Sequence, residues 1–224
     1  MRRFLAAAVL TLSLAAMPQV GAAQGIEQIW QQANAAFDAG NYPEAEALWR
    51  RAIAIDPRNA RAYNNLGIVL VEQGKIEEAL AAYGNALERD GKNAYIYNNI
   101  GWALALQGKT QEAIDAYNLA GQYNPQLAAI YNNAADLLRK VGQIDDAIVA
   151  YREALNLPNI EGLPADAHTL AHNGLGLALQ QQGKLKGAID EFEQALRLTP
   201  NYEPAKRNLA EAKRQLENGL PRVE

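Results

Sequence analysis

The 224-residue sequence predicts an all-α fold, an α-solenoid of about five helix-turn-helix units with a C-terminal capping helix. Three observations carry that prediction. Gly40, Gly74, Gly108 and Gly142 stand 34 residues apart, and Gly183 follows after 41. Two alanine columns and one aromatic column keep the same step: Ala45, Ala79, Ala113, Ala147 and Ala188; Ala52, Ala86, Ala120, Ala154 and Ala195; Trp49, Tyr83, Tyr117, Tyr151 and Phe192. Runs of β-branched residues with two-residue alternation are missing, while helix formers are plentiful.

Each period divides into two helices. The glycine ends the first, because it adopts the left-handed conformation past a helix end without a Cβ penalty. Small residues at Ala33, Gly67, Gly101, Ala135 and Gly176 let paired helices approach closely, and the aromatic column fills the space between units. Pro57, Pro125 and Pro200 close three of the second helices, since proline cannot continue the hydrogen-bond ladder, and Gly91 stands in that column in the second unit.

These columns resemble the tetratricopeptide repeat over nearly all of the chain beyond its first residues. The repeats are numbered 26–59, 60–93, 94–127, 128–161 and 169–202, with residues 203–217 (EPAKRNLAEAKRQLE) as the polar helix that covers the last stacking face, and 218–224 as a tail. Two places depart from the pattern. The first repeat has Gln32 and Ala36 where larger apolar residues are usual. Between the fourth and fifth repeats, "NLPNIEGLPADAH" adds seven residues with Pro158, Gly162 and Pro164, so stacking is expected to bend or open there.

Residues 1–23 differ in kind, with Arg2 and Arg3, an apolar run from Phe4 to Ala16, Pro18, and small residues at Val20-Gly21-Ala22. That is the layout of a secretory signal peptide, and the run falls short of the roughly 20 residues a spanning helix needs. The expectation is an exported protein of the periplasm or extracellular space, with no stable membrane insertion after cleavage. No cysteine occurs, so a disulfide framework and a lipid-modified cysteine are both excluded. The formal charge is −4, and losing two arginines lowers it further, which argues against nucleic acid as a partner.

Chemistry-bearing patterns reduce mostly to repeat positions. Gly108-Lys109-Thr110 ends like a phosphate loop, but Ala103 stands where another glycine is required and a helix precedes it. His168 and His172, with Asp166, have the spacing for zinc on one helix, but His172 occupies the column of Tyr63, Tyr97 and Tyr131, and no further histidine exists. No metal or cofactor is therefore expected. Glu77-Glu78 and Asp145-Asp146 begin second helices, where negative charge complements the dipole. The only serine is Ser13, so a catalytic nucleophile with a matching base is not visible and the chain reads as a non-enzyme.

What the repeat columns leave over is asparagine. Asn64-Asn65, Asn98-Asn99 and Asn132-Asn133 recur at one register, although asparagine is a mediocre helix former. The resemblance implies that first helices line a concave groove and that these six residues face it, with Ile68, Trp102 and Asp136 one turn on. Amides that both donate and accept suit the main chain of an extended peptide. Their competing role is bonding within the array itself. Trp102 adds an aromatic anchor, with Trp30 similarly placed in the first repeat. Arrays that clamp a terminal carboxylate carry lysine and arginine on these columns, whereas here only Arg61, Arg139 and Lys140 are nearby. The expected function is a scaffold binding a protein or peptide ligand in its groove, within a bacterial envelope assembly. Alternatives are a module for a glycan, lipid or metal, and a self-assembling homo-oligomer.

Overall fold

A computed structural model describes residues 17–159 and 165–219, and every regular element among them is a helix. In chain order these are α1 (Met17–Asp38), α2 (Tyr42–Ile55), α3 (Ala60–Glu72), α4 (Ile76–Leu87), α5 (Ala94–Leu106), α6 (Thr110–Tyr123), α7 (Ala128–Lys140), α8 (Ile144–Asn156), α9 (Ala167–Gln181), α10 (Leu185–Leu198) and α11 (Glu203–Gly219). The leader reading falls mainly on residues 1–16, outside the described residues, and positions 17–23 belong to the start of α1.

The turns follow from their glycines. Gly108 has φ 75°, and its four equivalents are likewise left-handed, a conformation that L side chains enter only with strain. At this turn the Gly108 N–H donates to the Ala105 carbonyl at 3.0 Å and the Lys109 N–H to Leu104 at 3.0 Å, which satisfies orphan carbonyls of α5 and starts α6 within two residues. The tight turn forces α5 and α6 antiparallel. Pro57, Pro125 and Pro200 each lie two residues past the ends of α2, α6 and α10.

Helices pair within each unit and then stack on the next. From α3 onward each odd-numbered helix packs on the next odd-numbered one, whereas among the described residues no two even-numbered helices pack comparably. The odd helices therefore crowd the inner side of the curve and the even ones spread over the outer side. The buried interior runs as a chain of clusters, one through the first two units, one across the third and fourth, and one across the fourth, fifth and α11. Such an interior is stabilised by neighbour contacts more than by a single centre.

Close packing depends on the small column. A Cβ built on Gly67 would lie 2.4 Å from the Tyr83 ring, and one on Gly101 would lie 2.6 Å from Tyr117. The inner helix thus rests directly on its own unit's aromatic. In the fourth unit Ala135 replaces the glycine, and Tyr151 instead meets Gly174 of α9, where a Cβ would stand 2.3 Å from the ring. This corrects the expected opening at the seven-residue insertion. The stack closes there, because Gly174 admits the Tyr151 ring and α7 packs on α9 more extensively than α5 does on α7. Residues 160–164 of the insertion are outside the described residues.

Candidate functional site: the inner helical face

Helices α3, α5 and α7 present the inner face, and caps set where two of them begin. The Asn59 side chain accepts from the Ala62 N–H at 3.1 Å, and Asn93 accepts from the Tyr95 N–H at 3.1 Å. With the starts fixed, the paired asparagines of successive helices fall into diagonal register. Asn99 Nδ2 donates to Asn64 Oδ1 at 3.0 Å, and Asn133 Nδ2 donates to Asn98 Oδ1 at 2.9 Å. Asn208 of α11 donates to Asn173 of α9 at 2.8 Å in the same way. Each bond spans 35 residues, one more than the repeat, so the second asparagine of one unit reaches the first asparagine of the unit before.

The ladder is interrupted once. Gly174 stands where the fifth unit would supply its second asparagine, and Asn132 Nδ2 donates instead to the Ala167 carbonyl at 2.9 Å. Asn132 is only 5% exposed, and its Oδ1 is buried without a partner. Of the nine candidate residues, Asn132 is thus placed inside the α7–α9 contact.

Seven of the other eight line three recesses along the inner face. Asn65 and Ile68 border a small one beside Phe37 and Trp49. Arg61, Asn64, Asn65, Ile68, Tyr95 and Asn99 surround an open recess of about 650 Å³ between α3 and α5. Trp102, Asn133 and Asp136 line one of about 130 Å³ between α5 and α7, with Tyr117, Leu106 and Lys140. Asn98 is half-buried, accepts from Asn133 and borders none of the three. The sequence reading missed Tyr95 and Leu106, 55% and 54% exposed. Tyr95 shares a column with Arg61 and Ala129, so only the contrast within that column signals it.

Asp136 joins this face to the outer helix of its own unit. Its Oδ1 accepts from the Tyr151 hydroxyl at 2.5 Å, and Arg139 Nη2 lies 3.6 Å from the same oxygen. Burial pushes the Tyr151 phenol well above its ordinary pKa, and the neighbouring Asp136 charge adds to that. Tyr117 is raised for the same two reasons. Neither phenol is a base near neutral pH. Arg61, at the edge of the larger recess, lies over the Trp30 ring at 5.3 Å.

The histidines have separate partners. His168 Nε2 is 2.8 Å from the Leu157 carbonyl, and His172 Nδ1 is 2.7 Å from Glu191 Oε2. Among the described residues no group of three or more His, Asp or Glu converges as metal ligands would. No described helix is long and apolar enough to cross a membrane.

An elongated helical solenoid whose inner face carries recesses lined by amides, aromatics and a carboxylate defines a binding scaffold. Family models place it further. Residues 33–74 match a TPR repeat model, and 65–126, 128–159 and 169–202 match models of the tetratricopeptide repeat. The chain belongs to the tetratricopeptide repeat family, whose fold is generally a non-catalytic protein-interaction scaffold, and none of the matching models describes an enzyme. No curated protein matches by sequence. The fold resembles TTC0263, a thermophilic TPR protein of Thermus thermophilus, with TM-score 0.71 and 19% identity over 84% of this chain and 98% of that one. It resembles PilF of Pseudomonas aeruginosa with TM-score 0.66 and 21% identity, covering 91% and 95%. It also resembles YrrB, a TPR protein with an unusual peptide-binding site, with TM-score 0.55 and 19% identity, covering 83% and 96%.

Proposed function

We infer that the protein is an exported, non-catalytic scaffold that binds another polypeptide along α3, α5 and α7, as part of a bacterial envelope assembly. The observation that carries the reading is the run of recesses in which Asn64, Asn65, Ile68, Asn99, Trp102, Asn133 and Asp136 lie beside exposed Tyr95 and Leu106. Exposed aromatic and aliphatic side chains next to amides with remaining hydrogen-bond capacity suit a polypeptide, which offers apolar side chains and a polar main chain together. Export rests on the charged, apolar and small-residue order of positions 2–23.

The ladder changes which variants test this reading. Asn99 and Asn133 join neighbouring units, so their loss confounds binding with stability. Trp102→Ala with Tyr95→Ser leaves the ladder intact. The chain without its first 23 residues should capture polypeptides from an envelope extract, and this double variant should lose most of them while keeping its helical signal. Equal capture by both proteins sinks the groove assignment. A periplasmic reporter fused after residue 40 tests export, and an inactive fusion removes it.

A further inference from the structure

The recess between α5 and α7 brings a carboxylate together with aromatic side chains. Asn133 spends one Nδ2 hydrogen on Asn98 and keeps its carbonyl oxygen, an acceptor, together with its second N–H. Asp136 uses Oδ1 for Tyr151 and Arg139, and among the described residues no hydrogen bond or ion pair claims Oδ2, although the side chain is 51% exposed. Trp102 and the largely buried Tyr117 complete the lining. An unclaimed carboxylate oxygen and an amide carbonyl beside an aromatic side chain match a cation that carries several donors, since aromatic rings and carboxylates attract the same charge. Among the described residues the only cation on the rim is Lys140, which is exposed and forms no ion pair with them. The chain's formal charge of −4 favours the same kind of partner.

We propose that the recess of Trp102, Tyr117, Asn133 and Asp136 is a subsite for a lysine or arginine side chain of the bound polypeptide. The proposal rests on the groove reading above and adds to it the class of residue recognised there. Lys140 competes with the incoming cation, so it lowers affinity for a basic side chain and would raise it for an acidic one.

The test titrates the full chain with N-acetyl-lysinamide, N-acetyl-norleucinamide and N-acetyl-glutamic acid amide, following the indole N–H resonance of Trp102 by NMR. Trp102→Phe identifies that resonance among the three tryptophans. The lysine probe should give a saturable shift in the millimolar range, as expected of a fragment. Norleucine and glutamate probes should bind more weakly. Asp136→Asn should weaken the lysine probe by up to about fivefold, the most an exposed ion pair contributes, and Lys140→Ala should strengthen it.

Asp136→Asn also disturbs the Tyr151 contact, so Tyr151→Phe is the control. It keeps the carboxylate and the ring and should retain the preference for lysine. A glutamate probe that binds as well as lysine, a lysine probe no better than norleucine, or equal loss in Tyr151→Phe and Asp136→Asn would each overturn the proposal. Envelope capture by the chain without its first 23 residues separates the two levels. Capture without lysine preference removes only the subsite, while absence of capture removes the groove reading beneath it.

Discussion

The third junction, between α5–α6 and α7–α8, and the fourth, between α7–α8 and α9–α10, solve one problem differently. At the third, Asn133 reaches back to Asn98 and the aromatic Tyr117 rests on Gly101 of its own unit. At the fourth, Gly174 takes the asparagine's place and Tyr151 rests on α9, the helix of the following unit. The first solution holds by a directional hydrogen bond and leaves a recess on the inner face. The second holds by close packing and fills that space with a ring. A repeat fold therefore has to choose, at each junction, between a groove that a ligand can enter and an interface that shuts.

The largest effect expected from this contrast is at Gly174. Gly174→Val puts two methyl groups where even a Cβ stands 2.3 Å from the Tyr151 ring, and that ring is 1% exposed and cannot move aside. A loss of roughly 3 kcal/mol is expected, at the upper end of overpacking costs. Hydrogen exchange should locate the loss in α9 and α10, with α3 to α6 protected as before, because neighbours stabilise neighbours. In a Tyr151→Ala background the same substitution should cost little, since the obstructing ring is gone. Additive losses would show that Gly174 acts through backbone conformation and not through the ring.

At the first junction the contrast becomes one of charge. Gln73 Nε2 and Lys75 Nζ donate to Glu46 Oε2 at 2.9 and 2.8 Å, and Arg50 Nε donates to Oε1 at 2.8 Å. Lys75, with Arg50 and Gln73, holds the Glu46 carboxyl down to about 2 from an ordinary 4.5. Because the folded pKa is depressed, this stabilisation is complete above pH 4.5 and disappears as pH falls toward 2. Acid titration of stability should show a loss over that window that Glu46→Gln flattens. The ladder amides carry no titratable group, so Asn133→Ala should leave the slope unchanged. An unaltered slope in Glu46→Gln would assign the acid response elsewhere.

The ladder itself comes next. Asn133→Ala leaves Asn98 Oδ1 without its donor in a half-buried place, at an expected cost of about 1–2 kcal/mol. Asn98→Ala should cost a similar amount, and the double variant less than the sum, because each single change already breaks the shared bond. Denaturant unfolding measures all three. Full additivity would mean that the amides act independently and that the diagonal bond contributes nothing.

The columns made the architecture legible, because every one of them encodes something local to a unit: a left-handed turn at Gly108, a small residue under Tyr83, a proline past α6. What they did not encode is the register between units. The asparagine bond runs 35 residues, off the 34-residue step, so a column reading pairs Asn99 with Asn65 where the fold pairs it with Asn64. The two glycines of α9 look alike in sequence, yet Gly176 lies under Phe192 and Gly174 under Tyr151 of the unit before. Asn132 matched Asn64 and Asn98 in sequence and is nonetheless inside an interface, because the residue that closes over it comes from beyond the insertion. A loop's length could suggest an opening there. Only the exchange of Ala135 and Gly174 for their column residues shows why it closes.

The smallest effect concerns the outer edge of the third junction. Gln107 Nε2 donates to Glu77 at 3.0 Å and Gln182 Nε2 to Asp145 at 2.5 Å, so a glutamine at the end of an inner helix reaches the first turn of the preceding outer helix. Val141 occupies that position in α7's turn and is 45% exposed, a large apolar side chain facing water. Val141→Gln supplies the missing donor, and Gln111, one repeat before Asp145, supplies an amide oxygen to receive it. A neutral, solvent-accessible hydrogen bond contributes about 0.5 kcal/mol, which in a chain of this length raises the midpoint of thermal unfolding by about 1–2 °C. The gain should vanish in Gln111→Ala. If it persists there, the benefit comes from removing exposed valine, and the third junction has no vacancy for a bridge at that edge.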